Sequence, residues 1–106
     1  MTRNEAIAVS KVMGWEYREY HGRQIFYDVD GNDLYLDQIG TDTPSGNWIS
    51  KLLQVRMVED GWVIEISVFP GRFFATAKSL YGEFDSEAET EQSALVELFC
   101  KVYEIA

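Results

Sequence analysis

The chain has 106 residues, of which 46% are hydrophobic and 14% aromatic, and a formal net charge of −9 at pH 7. That length makes a single domain, 1–106, with enough apolar side chains for a core without covalent staples. The charge argues against sequence-independent binding to DNA, RNA or anionic membrane, and the single cysteine, Cys100, excludes an internal disulfide and a cysteine-rich zinc site.

Thr2-Arg3-Asn4-Glu5 has the form of a capping box and opens a first helix that runs to Met13, with Gly14 as its stop. Ala6, Ile7, Val9, Val12 and Met13 give it a modest apolar face. Trp15 to Tyr20 alternates aromatic and charged residues and reads as a strand. His21-Gly22 turns the chain into a second strand, Arg23 to Tyr27. Asp28-Val29-Asp30-Gly31-Asn32 makes another turn before a short third strand, Asp33 to Leu36. Asp37 to Asn47, rich in Gly, Pro, Ser and Thr, reads as a loop.

Trp48 to Phe69 is expected to organise the fold. Trp48, Leu52 and Val55 share one helical face, flanked by Ile49 and Leu53, with Asn47 or Ser45 as N-cap and Gly61 as the stop. From Trp62 the period changes to two. Trp62, Ile64, Ile66 and Val68 point one way, and this apolar face predicts a central strand. Pro70-Gly71 turns the chain into Arg72 to Lys78, and Leu80 to Phe84 either adds a strand or ends at Gly82. Ala94, Leu95, Leu98, Phe99, Val102 and Ile105 define the last helix, which starts either at a Ser86-to-Glu89 capping box or at Thr90. Cys100 falls within this apolar stretch and reads as a buried small hydrophobe. The order α-β-β-(β)-α-β-β-(β)-α predicts an α+β fold, a layered α/β/α sandwich with three helices and a mostly antiparallel sheet.

No apolar run approaches the roughly 20 residues of a membrane span, and the N-terminus lacks a signal-peptide core, so a cytosolic protein is expected. The sequence has no glycine-rich phosphate loop, H-E-x-x-H pair or nucleophile elbow. Asp28 to Asp33 has some likeness to a calcium loop but carries Asp33 where Gly is required and Ile39 where a bidentate Glu is required, so a hairpin turn accounts for it. His21, the single histidine, sits at a turn with no assignable nucleophile. No metal, no cofactor and no enzymatic activity are expected.

The acids are unevenly spread. Asp28, Asp30, Asp33, Asp37 and Asp42 occupy a window, residues 24–50, that has no Lys or Arg, and Glu83, Asp85, Glu87, Glu89, Glu91 and Glu97 occupy another, residues 79–100. From Glu83 to Glu91 every second residue is acidic. An extended segment would align these carboxylates on one side at about 6–7 Å, imitating a phosphate backbone, whereas a helix would scatter them. A second set, Arg18, Arg23, Arg56 and Arg72 with Tyr20 and Tyr27, supplies cations and rings that a nucleotide pocket would need. Tyr20, Tyr27 and Phe73 lie on the less apolar sheet faces, where they can stack a base or meet a protein.

Thr2-to-Trp15 with its K-V-M-G-W, the D-x-D-G-N turn, the E-D-G-W at Glu59–Trp62 and the Thr-led final helix together resemble small phage and prophage proteins of the phage ABA-sandwich domain family. The resemblance spans nearly the whole chain, and its motifs are structural. Gln92 stands where relatives tend to have proline, and Leu98 and Phe99 where they tend to have alanine, which should alter the packing of the last helix. The resemblance implies an α/β/α sandwich and a phage accessory gene acting in the cytoplasm of the bacterial host, with no established activity to carry over. With the acidic windows, it leads to an expected role as a non-enzymatic inhibitor of a host antiviral-defence factor. The target would be a protein with a basic surface, such as a nuclease of a CRISPR or restriction system. The alternatives are a sponge for a nucleotide immune signal and an accessory protein of phage replication or packaging.

Overall fold

The structure, a computed structural model, describes residues 2–105. The first helix, α1 (Arg3–Met13), begins where the sequence places it. The Thr2 hydroxyl accepts from the Glu5 amide and the Glu5 carboxylate accepts from the Thr2 amide, while Gly14 closes the helix in the left-handed region. Two meanders follow the first and second helices. In the first, β1 (Glu16–Tyr20), β2 (Arg23–Tyr27) and β3 (Asp33–Tyr35) pair antiparallel in sequence order. The β1–β2 turn has positive φ at both central residues, His21 (49°) and Gly22 (76°), the geometry whose twist matches a two-residue hairpin. A single 3-10 turn, Leu36–Gln38, leads towards α2 (Pro44–Glu59).

The second meander is β4 (Val63–Phe69), β5 (Arg72–Ser79) and β6 (Gly82–Ala88), again antiparallel, and α3 (Glu91–Val102) closes the chain. The described residues thus form an α+β fold with three helices, and their strands form two three-stranded sheets. One core joins both sheets to the helices. Phe26 and Leu34 enter it from the first sheet, Ala75, Ala77 and Ala88 from the second, and Ile49, Leu53, Met57, Leu98 and Phe99 from α2 and α3. α3 packs on β5, β6 and α2, and the small alanines beneath it allow the close approach. Within the core the Ser86 hydroxyl donates to the Ala94 carbonyl at 2.6 Å, so this buried polar group is satisfied.

The structure departs from several of these expectations. α2 starts three to four residues earlier than Asn47. Thr43 is the N-cap and accepts from the Gly46 amide at 3.0 Å, and Pro44 occupies the first turn, where its missing N–H costs nothing. The buried face of α2 is Gly46, Ile49, Ser50, Leu53 and Met57, whereas Trp48 is 50% exposed and Val55 and Val58 also face outward. α2 therefore carries apolar residues on two sides, and spacing alone favoured the wrong one. β4 is an edge strand, because the sheet order runs β4-β5-β6 and β5 is the centre. Ile64 and Ile66, and Trp62 just before the strand, are half-buried as expected, but Val68 is 70% exposed. Phe73 pairs with Ala88 on the helix side of the sheet, so the outer ring is Phe74, packed edge-to-face on Phe69 at 5.1 Å.

Candidate functional site

The segment Glu83 to Glu91 is extended as far as Ala88 and helical from Glu91. Phe84, Ser86 and Ala88 face the core, which leaves Glu83, Asp85 and Glu87 on the outer side of β6. Three of the five carboxylates therefore form a row at the spacing of alternate strand residues, about 6–7 Å. Glu89 lies in the bend that follows, and Glu91 opens α3, where the helix dipole favours a negative charge. Thr90 is the N-cap, its hydroxyl accepting from the Ser93 amide at 3.1 Å.

The two acidic windows meet at this point. A cleft of about 250 Å3 is lined by Asp42, Phe73, Glu89, Thr90, Glu91 and Gln92. Two hydroxyls at the start of α3, one from its N-cap and one from its first turn, hold the loop that carries Asp42. Thr90 Oγ1 and Ser93 Oγ both donate to the Gly40 carbonyl, at 3.1 and 3.0 Å. Gln92 adds a hydrogen bond from its amide to the Asn47 side chain, a tie between α3 and α2 that proline at this position would lack. Asp42, Glu89 and Glu91 thus surround the N-terminus of α3, and the β6 row leads into them.

The charges differ in how far they are already neutralised. Arg72 Nε meets Glu87 Oε1 at 2.6 Å across the sheet, and Lys78 Nζ lies 4.0 Å from Glu65 Oε2. Among the described residues, Glu83, Asp85, Asp42, Glu89 and Glu91 form no ion pair with Lys or Arg. The remaining acids of the first window lie elsewhere. Asp28 holds its own turn, accepting from the amides of Asp30 and Asn32 and from the Asn32 side chain at 2.8–3.1 Å. Partial burial pushes its carboxyl up, but the hydrogen bonds from Asn32, Asp30 and Gly31 outweigh this and hold it below its ordinary value. Asp30 and Asp33 are exposed at the same turn, and Asp37 pairs with Arg23 at 3.1 Å.

The arginines do not all converge. Arg18 and Arg23 share the outer face of the first sheet with Tyr20, Tyr27 and Tyr35. Arg18 lies 5.5 Å from the Tyr27 ring centre and Arg23 4.2 Å from that of Tyr35, and together they cover Ile25. Glu16 and Asp37 neutralise these two cations. Arg56 is engaged on α2 by Asp60, which also accepts from Tyr103, and Arg72 belongs to the second sheet. His21 stacks edge-on against Tyr20 at 4.2 Å in its exposed turn.

A second cleft, between α1 and α3, is lined by Glu5, Ile39, Val96, Glu97 and Cys100 among others. Burial pushes the half-buried Cys100 thiol up to about 11, and the nearby Glu5 and Glu97 carboxylates add to the shift. At about pH 8 the native thiolate population is then roughly a hundredfold below that of a thiol with the ordinary value of 9.0. Iodoacetamide should accordingly label native Cys100 about a hundredfold more slowly than Cys100 of the urea-unfolded chain. Equal rates would place the thiol in an open, unperturbed setting.

Among the described residues, no group of three or more His, Cys, Asp and Glu side chains is arranged to hold a metal ion, and no helix is long and apolar enough to cross a membrane. Comparison with models of known families, with curated proteins and with solved structures gives no match, so the functional reading rests on the geometry of this chain.

Phe73 and Gln92 were not among the acidic residues that the sequence singles out for this site. The signal for both was local. Phe73 is the second residue of β5, which pairs with β6, and Gln92 follows the Thr90 cap by two residues.

Proposed function

We propose that this chain is a non-enzymatic phage accessory protein that binds and inhibits a host antiviral-defence factor in the bacterial cytoplasm. The acidic ridge would occupy a basic nucleic-acid site on that factor, as in inhibition of a CRISPR or restriction nuclease. One observation carries the reading. The row Glu83-Asp85-Glu87 runs along one side of an extended strand into the cleft of Asp42, Glu89 and Glu91, and most of these carboxylates lack a cationic partner within the chain. Such a row presents negative charge at a spacing close to that of phosphates along a single strand, and binding would release the salt held by the target.

The test is capture of a partner from host lysate by the tagged protein, compared with a triple variant Glu87→Lys, Glu89→Lys and Glu91→Lys. The expected result is a stoichiometric nucleic-acid-binding protein that is lost at high salt and lost with the variant, while the variant's melting transition is retained. Capture of the same partner by the folded triple variant would end the mimicry reading.

The clustering of Arg18, Arg23, Tyr20 and Tyr27 on one sheet face favours a second reading, sequestration of a nucleotide signal. Native mass spectrometry of the protein purified from infected cells would then show a bound nucleotide, lost with Arg23→Ala.

A further inference from the structure

We infer that two copies of this chain join edge to edge through β4, making one continuous six-stranded antiparallel sheet. β4 is seven residues long and, among the described residues, pairs only with β5, so its other edge carries unpaired backbone groups. The other sheet edges are guarded. β6 carries Glu83, Asp85 and Glu87, and Lys101 from α3 donates to its Asp85 carbonyl at 2.6 Å. β1 carries Glu16, Arg18 and Glu19, and β3 is only three residues long. β4 has neither proline nor an inward charge, and its one charged side chain, Glu65, points to the outer face.

The side chains of β4 match those of a second β4 in one register. A two-fold axis through Ile66 is the arrangement that pairs all seven residues. It sets Ile66 against Ile66, Glu65 against Ser67, Ile64 against Val68 and Val63 against Phe69. Like charges do not oppose one another, whereas an axis through Glu65 would bring the two Glu65 carboxylates together. The same register covers the apolar residues that the single chain leaves in solvent: Val63 at 60%, Val68 at 70% and Phe69 at 53% exposure. Apolar residues on both faces of an unpaired edge are costly in a monomer, and pairing with a copy removes that cost. With a charge of −9 on each copy, association should strengthen as salt is added, the opposite of what an ion-paired interface would do.

Sedimentation equilibrium of the full chain tests this. A dimer is expected, its dissociation constant falling with added NaCl. Val68→Lys, a change at an exposed side chain, should raise that constant about tenfold or more, because the two-fold repeats the lost contact with Ile64 twice. Leu80→Lys, at a fully solvated turn residue, should leave it unchanged. A monomer across the micromolar range would overturn the inference. So would a dimer that survives Val68→Lys and dissociates with Trp48→Lys, which would place the interface on the outer face of α2.

Discussion

Gly46→Ala is expected to destabilise the fold by about 2–4 kcal/mol, although glycine-to-alanine changes inside helices ordinarily stabilise by about 0.5–1 kcal/mol. Gly46 is buried in the first turn of α2. A Cβ there would overlap the Thr41 carbonyl, sit 2.5 Å from the Gln38 carbonyl and lie 2.6 Å from Thr41 Oγ1. Two of those three atoms are backbone, so no rotamer change relieves the clash. The helix start must move instead. That movement breaks the cap from Thr43 to the Gly46 amide and the 2.6 Å bond from Thr41 Oγ1 to Gln38. The loss of a cap alone costs about 0.5–2 kcal/mol. For a chain of this size the loss corresponds to a fall in Tm of about 10–25 °C, read by calorimetry or urea titration. A neutral or stabilising alanine would mean that the loop does not approach α2 so closely.

Phe99→Ala should have the largest effect of any single truncation, about 3–5 kcal/mol. The Phe99 ring is fully buried, lies 4.5 Å from the Tyr103 ring centre, and fills the space where α3 meets α2 and the second sheet. Its neighbours there include fully buried alanines, which cannot extend into the cavity that would be left. Against a typical total of about 5–15 kcal/mol, this leaves the fold marginal at 25 °C. Phe69→Ala gives the contrast. Phe69 is half-exposed and touches Phe74, so its loss should cost the monomer less than about 1 kcal/mol. Urea unfolding of both variants at the same protein concentration separates the two, and similar losses would mean that α3 does not seat its ring in the core.

The parts of the fold that were legible in the sequence are those set by local chemistry. The Thr2–Glu5 box, the His21-Gly22 turn, the Asp28 turn and the stripe of α3 each depend on residues a few positions apart. The face of α2 was not legible, because Trp48, Leu52 and Val55 form as good a stripe as Ile49, Leu53 and Met57. Small residues decide the matter: Gly46 and Ser50 bring the helix close on the side that is buried. β4 read as a central strand because one of its faces is fully apolar and the other is mixed. In this chain that pattern marks an edge instead. The row on β6 followed from period two once the strand was known to reach Ala88. Its meeting with Asp42 did not, since the hydroxyls of Thr90 and Ser93 reach Gly40 across some fifty residues.

Every strand in this protein pairs with its neighbour in sequence. Each meander can therefore zip from a tight turn, and no strand has to find a partner from the other half of the chain. Such local pairing keeps the entropic cost of loop closure small and favours folding on the millisecond scale or faster. The long-range step is the docking of α3, which lays Leu98 and Phe99 over both β5 and α2 and bonds to the Gly40 loop. This helix also follows both meanders in the chain. During synthesis the two meanders would emerge first and wait with their shared core open. Cooperative folding would then begin only when α3 leaves the ribosome.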